Sequence, residues 1–300
     1  MSVKRMLLIG FGVYIGGAII LLAAFGSEGE NDEFQPQEEF RLEPWIEINI
    51  GGLDLSINRA VFYLVLACVL TTVAMVYVAR RMQQRPNKVQ TAVETLYNLT
   101  YNTITRGNMS EQMTKKWFPF VATLFFFIWI SNLIGYLPLP TNTHETVNVF
   151  GIEFPSFAIY AATANLSIPL VLTLIVWFSY QVEGVRAKGF VPYVKSWIPS
   201  GTPKAMRPFL LVIEIISQTV RIISLSVRLF ANILAGHLLI LFMGGGLGVI
   251  LGYAVLGWIT FPLALAFFLF EVVLVATLQA FIFATLTSIY FGEATSAEGH

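Results

Sequence analysis

The chain has 300 residues, 56% of them hydrophobic and only 12% charged, with 18 basic residues against 18 acidic ones and a single cysteine. With a mean hydropathy of +0.71, such a composition describes a polypeptide whose solvent is mostly lipid, a polytopic membrane protein rather than a soluble domain. No basic patch points to nucleic acid, and the lone Cys68 excludes an internal disulfide and a cysteine-paired metal site.

The first apolar run, Met6 to Phe25, follows Lys4 and Arg5 and ends in Ala23, Ala24 and Gly26. That pattern fits a retained anchor and a cleaved signal peptide equally, so residues 1–26 are expected to form an N-terminal signal or anchor helix. Residues 27–59 form an acidic segment containing Glu28, Glu30, Asp32, Glu33, Glu38, Glu39, Glu43, Glu47 and Asp54, either a soluble spacer or the cap of a channel mouth. Residues 60–300 hold the membrane domain, with apolar runs at Ala60 to Ala79, Trp117 to Leu137, Phe157 to Tyr180, Pro208 to Met243 and Leu247 to Phe291. About 20 residues cross the roughly 30 Å hydrocarbon core, so the last two runs must tilt, bend or lie partly flat. The glycines Gly244, Gly245, Gly246 and Gly248 mark the turn between them. Between Arg80 and Lys116, Val89, Val93, Leu96, Tyr97 and Ile104 recur at helical spacing among polar residues, as in an amphipathic helix lying at the interface. The expected class is therefore an all-α polytopic membrane protein with five core membrane helices, the last two long and tilted, and an interfacial amphipathic helix.

Basic residues cluster at Arg80, Arg81, Arg85, Lys88, Arg106, Lys115 and Lys116, and again at Arg186, Lys188, Lys195, Lys204 and Arg207. The positive-inside rule places these loops in the cytoplasm and the acidic segment outside.

From Pro208 to Phe291 the formal charges are Glu214, Arg221, Arg228 and Glu271, joined by one histidine, His237. An arginine at mid-span costs about 2.5 to 3.5 kcal/mol on the lenient insertion scale, so it faces a partner or a wet cavity. With about 3.6 residues per turn, Glu214, Gln218, Arg221, Arg228 and Asn232 fall on one stripe, completed by the apolar Leu225. His237 leaves that line on a straight helix, so it points into another cavity or marks a bend. The last run offers Glu271, Gln279, Thr285 and Ser288. Two polar surfaces facing each other would make an aqueous or proton-conducting path. Plainer readings stand beside this one. Arg221 and Glu214 would make a structural ion pair or snorkel to the surface, His237 would be a packing residue, and Glu271 a neutral buried acid rather than a proton relay. His144 and His300 read as solvated, and Asn132, Asn165 and Pro262 as structural.

The string Ser224-Leu225-Ser226-Val227-Arg228-Leu229-Phe230-Ala231-Asn232-Ile233-Leu234-Ala235-Gly236-His237, followed by Thr277-Leu278-Gln279-Ala280-Phe281-Ile282-Phe283, resembles subunit a of the bacterial F-type ATP synthase. Phe126 to Pro138 and Ala164-Asn165-Leu166-Ser167 resemble the family's earlier spans. The resemblance implies the stator half of a rotary proton motor in the bacterial plasma (inner) membrane. Its partners would be a ring of c subunits that each carry one essential carboxylate, the b subunits of the peripheral stalk, and the catalytic head. By the same resemblance Arg228 is the family's invariant arginine, Asn232 its asparagine one turn on, His237 the ionisable group of the external half-channel and Gln279 the glutamine of the facing helix. Glu214 matches the acid near the internal half-channel, and Arg221 a commonly basic position. In one respect the chain departs from the pattern. The family places an ionisable residue seven positions before the glutamine, here Val272, whereas Glu271 stands eight before Gln279. One residue turns a helical side chain by about 100°, so Glu271 needs a local adjustment of the helix to serve the external channel.

No Gly-x-x-x-x-Gly-Lys phosphate loop occurs, so nucleotide is expected on other subunits, with no cofactor or metal here. The rival functional classes are a secondary transporter with an intramembrane anion site at Arg228 and a structural scaffold.

Overall fold

The computed structural model describes residues 3–25, 42, 44–50, 53–54, 56–83, 87–140, 146–149, 152–155, 157–198, 201–246 and 254–296. Most of the acidic segment, His144, His300 and Gly248 lie outside them. Within them run α1 (Val3–Phe25), α2 (Arg59–Arg80), α3 (Lys88–Asn98), α4 (Glu111–Gly135), α5 (Ser167–Lys188), α6 (Phe190–Ser196), α7 (Arg207–Leu241), α8 (Ala254–Phe270) and α9 (Ala276–Thr295). Wide π turns follow α3 at Leu99–Thr105 and α7 at Phe242–Gly246, and another joins α8 to α9 at Glu271–Val275. Five helical stretches are long and apolar enough to cross a membrane: Arg59–Arg80, Glu111–Gly135, Ser167–Lys188, Arg207–Gly244 and Gly257–Thr295. The chain is an all-α multi-pass membrane protein.

Local chemistry sets several of the ends. Asn58 accepts the Val61 amide at 3.1 Å to start α2, and Asn87 accepts the Gln90 amide at 2.8 Å to start α3; each satisfies a donor that the first helical turn leaves over. Inside α2, Thr71 and Thr72 donate to the carbonyls of Ala67 and Cys68 four residues back, which removes the cost of their hydroxyls in lipid. The third of these spans is displaced from the apolar run Phe157 to Tyr180. A short 3-10 turn, Ala162–Ala164, intervenes, and α5 begins only where Asn165 accepts the Ser167 amide at 2.9 Å. Pro169 then sits in the first turn, where its missing N–H is not needed. The apolar residues before it, Tyr160, Ala161, Ala162 and Ala164, are buried as a packed connection rather than as a span. The helix runs on to Lys188, and within it the buried Glu183 pairs with Lys116 of α4.

Four short antiparallel ribbons, which the periodicity does not announce, occupy the connections: β1 (Pro44–Ile46) with β4 (Ile57–Asn58), β2 (Asn49–Ile50) with β3 (Leu53–Asp54), β5 (Leu139–Pro140) with β8 (Phe157–Ala158) and β6 (Thr146–Val149) with β7 (Ile152–Pro155). At two to four residues each, these strands are too short to carry hydrophobic alternation.

The chain divides into two compact units. The larger, Pro44–Pro138, Tyr160–Ile233 and Val275–His300, packs α4, α5 and α9 around Phe125, Ile128, Val176, Phe283 and Phe291, with the Trp117 and Phe291 rings 4.2 Å apart. Ala276, Ala280 and Ala284 repeat every four residues on α9 and are fully buried, a small-residue face that lets neighbouring helices approach without a hydrophobic driving force in lipid. Arg59 lies buried over the Tyr160 ring at 4.6 Å, and burial pushes the Tyr160 hydroxyl up to about 12. The smaller unit, Met1–Glu43, Leu139–Ile159 and Leu234–Leu274, ties α1 to α8. There the Tyr14 hydroxyl donates to the Trp258 carbonyl at 2.5 Å, and the Trp258 indole donates back to the Tyr14 carbonyl at 3.3 Å.

Candidate functional site

Helix α7 carries most of the stripe, and the larger unit builds a mixed polar cavity of about 210 Å³ against its first half. Glu214, Gln218 and Arg221 line it from α7, Tyr180 from α5, Tyr193 and Ser196 from α6, and Tyr290 and Glu293 from α9. Gln218 organises the wall: its amide nitrogen donates to Glu214 at 2.9 Å, while its carbonyl oxygen accepts from the Tyr180 hydroxyl at 2.7 Å and the Gln181 amide at 3.3 Å. Tyr193 continues the chain by donating to the Gln181 oxygen at 2.6 Å. A Cβ on Gly184 would overlap the Tyr193 ring, so glycine at 184 is what lets α6 close over the cavity. Burial pushes the Tyr193 hydroxyl up, against the pull of the Trp197 hydrogen bond and the Arg221 charge, so it stays a donor at neutral pH.

Arg221 pairs with Glu293 at 2.7 Å, its guanidinium 5.0 Å from the Tyr290 ring centre. The expected alternative of a pair with Glu214 on its own helix is thereby corrected: a carboxylate brought in by α9 reaches the guanidinium directly, whereas one two turns away along α7 requires both side chains to extend. Glu293, Tyr180, Tyr193 and Gln181 are members of this constellation that the sequence reading missed. Glu293 lies two residues past Phe291, where the apolar run ends. The available signal was Arg221 itself, an intramembrane cation with no acid within one turn.

Further along α7, Arg228 is half-buried and donates to the Ser224 hydroxyl at 3.3 Å; among the described residues no carboxylate of this chain pairs with it. Ser224, Ala231 and Asn232 around it are exposed, whereas Leu225, Leu229 and Ile233 form the buried face. The stripe thus splits, with Leu225 turned inward and Arg228 and Asn232 left at the surface of their unit. Gln279 is buried on α9, together with Ser288; Thr285 is partly buried.

In the smaller unit His237 and Glu271 are both buried. A Cβ on Gly236 would overlap the Glu271 carboxyl, so only glycine there lets that carboxyl lie against the helix one residue before His237. Glu271 opens the π turn Glu271–Val275, whose bonds close one residue wider than those of an α turn. A π turn holds one residue more than an α turn, and it stands where the count between Glu271 and Gln279 runs one residue long.

A family described as ATP synthase A chain matches residues 61–292. Among relatives, the ATP synthase subunit a of Rubrobacter xylanophilus is 35% identical over 260 residues, covering 85% of this chain and 91% of that protein. Those of Maricaulis maris, 33% identical over 269 residues with 86% and 96% covered, and Parvibaculum lavamentivorans, 32% identical over 280 residues with 90% and 98% covered, are similar along nearly their whole length.

Proposed function

Because the chain belongs to the ATP synthase A chain family, a membrane subunit of the stator of that complex, we propose that it supplies two proton half-paths which meet at Arg228, where a partner ring of c subunits turns against α7. The observation that carries this reading is Arg228 itself, a guanidinium in an apolar 35-residue helix whose hydrogen bond among the described residues goes to a neutral hydroxyl. Such a charge calls for an anion from elsewhere. Ser224 and Ala231 are small and exposed beside it, which allows a facing helix to approach closely.

A ring carboxylate cannot enter lipid charged, so it is protonated before it leaves the stator and deprotonated when it returns. Arg228 attracts the ionised form and favours release of the proton. As a fixed positive charge it also repels a proton that would cross without turning the ring, and arginine keeps that charge where lysine would lose it. Asn232, one turn on and exposed on α7, and Gln279, buried on α9, are assigned to the same path as its polar members. Glu214, Gln218 and Arg221 serve the inner path, since their end of α7 follows the basic loop that the positive-inside rule assigns to the cytoplasm. His237 and Glu271 serve the outer path. Each charge moved through 100 mV supplies about 2.3 kcal/mol. The b subunits and the catalytic head anchor the stator and hold the nucleotide, and the assembly sits in the bacterial plasma membrane. Recovery of a c-subunit ring with this chain from gently solubilised membranes tests the assignment; a chain that purifies alone and binds a small anion at Arg228 would be a transporter.

Two further outcomes bear on the outer path. His237→Ala is expected to slow proton uptake from the external side, read as a lower rate of synthesis at a fixed proton gradient; a rate unchanged across external pH would make His237 a packing residue only. Deleting Val273, which is 68% exposed within the π turn, should close that turn to an ordinary one and leave coupling near the parent level. In a regular α-helix the same deletion would swing Glu271 by about 100°, so loss of coupling in an assembled deletion variant would show that the wide turn does not absorb the residue.

A further inference from the structure

Two carboxylates, Glu214 and Glu293, line the same cavity as one guanidinium, Arg221. They are not equivalent. Arg221 binds Glu293 at 2.7 Å over the Tyr290 ring, and Glu214 accepts instead from the neutral Gln218 amide at 2.9 Å. The Gln218 amide is held in that sense by Tyr180 and Gln181 of α5, both donating to its oxygen. Among the described residues, the charged and titratable groups that line this cavity with Glu214 are Tyr180 of α5, Tyr193 of α6, Arg221 of α7, and Tyr290 and Glu293 of α9.

We propose that Glu293 is a positioning residue for the inner proton path, which holds Arg221 on α9 and so keeps the guanidinium away from Glu214. A carboxylate bonded to a guanidinium makes a charge-assisted pair, stronger than a bond to a neutral amide. A carboxylate held only by an amide can still exchange. The ion pair between α7 and α9 therefore decides which of the two acids is a fixed charge and which is a carrier. The inference rests on the reading of Glu214 as a member of the inner path, and goes beyond it by assigning a role to a residue outside the polar stripe.

Glu293→Gln releases Arg221, which then captures Glu214. In membrane vesicles carrying the whole complex, ATP-driven proton pumping per assembled complex should fall at least about tenfold, in the range by which positioned proton-transfer groups act. Glu293→Asp, which keeps the ion pair, should retain most of it. The combined Glu293→Gln and Glu214→Gln variant should be no worse than Glu214→Gln alone, because in both Glu214 is already out of use; a merely structural Glu293 would make the two losses multiply. Labelling of Glu214 by a membrane-permeant carbodiimide, which requires a protonated carboxyl, should also drop in Glu293→Gln, and this readout does not depend on coupling. Pumping and labelling at parent level in Glu293→Gln, or multiplying losses, would overturn the proposal. Full pumping by Glu214→Gln would remove the inner-path reading itself, whatever Glu293→Gln does.

Discussion

Arg228→Ala is expected to abolish proton-driven ATP synthesis while the subunit still inserts and the complex still assembles. Insertion should if anything improve, since a mid-span arginine costs about 2.5 to 3.5 kcal/mol even on the lenient scale and alanine does not. Assembly should survive because the arginine's hydrogen bond among the described residues goes to the Ser224 hydroxyl at 3.3 Å, an exposed bond whose loss leaves no buried orphan. Coupling should fail because the returning ring carboxylate no longer meets a charge that draws it into the ionised form. Removing one preorganised electrostatic partner of a developing charge costs about a hundredfold to a thousandfold in rate, and here the lost barrier to direct proton passage adds a leak. Synthesis driven by an imposed gradient in vesicles, measured beside passive proton permeability, reads both effects. Normal coupled synthesis in that variant would end the assignment.

Asn132→Leu should have the largest effect on stability. Asn132 on α4 is 0% exposed; its oxygen accepts from the Thr163 hydroxyl at 2.8 Å and its nitrogen donates to the Ala276 carbonyl at 3.4 Å. One amide thus ties α4 to the 3-10 turn before α5 and to the start of α9. Leucine fills a similar volume but leaves the buried Thr163 hydroxyl without its acceptor, at about 1 to 3 kcal/mol. The Ala276 carbonyl loses a second, longer bond but keeps its place in the first turn of α9. The expected result is a lower midpoint for heat-induced loss of the subunit from the detergent-solubilised complex, with proton pumping per surviving complex unchanged. A midpoint equal to that of the parent would mean that water or a neighbouring group satisfies the Thr163 hydroxyl.

The membrane class, four of the five spans and the polar members of α7 are legible in the chain because lipid imposes a one-dimensional rule: an apolar stretch long enough to cross crosses, and every charge inside it needs a reason. The third span escapes that rule. Tyr160 to Ala164 are nearly as apolar as a span, yet they pack as a buried connection, and the helix starts only after the turn that Asn165 closes by accepting the Ser167 amide. The short ribbons escape as well, because pairs of two to four residues are fixed by the ends they join and not by their own pattern.

In the site the division is sharper. The sequence by itself determined that Arg228 has no ion-pair partner on its own helix, since no acid stands within a turn of it, and the family resemblance showed Glu271 one residue out of step with Gln279. Only the tertiary structure decided which acid takes Arg221, because Glu293 comes from a helix 72 residues away and sequence distance carries no information on that approach. It likewise decided the backbone at the odd residue, a π turn beside Gly236. A hydrogen-bond pattern can widen by one residue without leaving a mark in composition or periodicity, so helical register within a single turn is settled by packing.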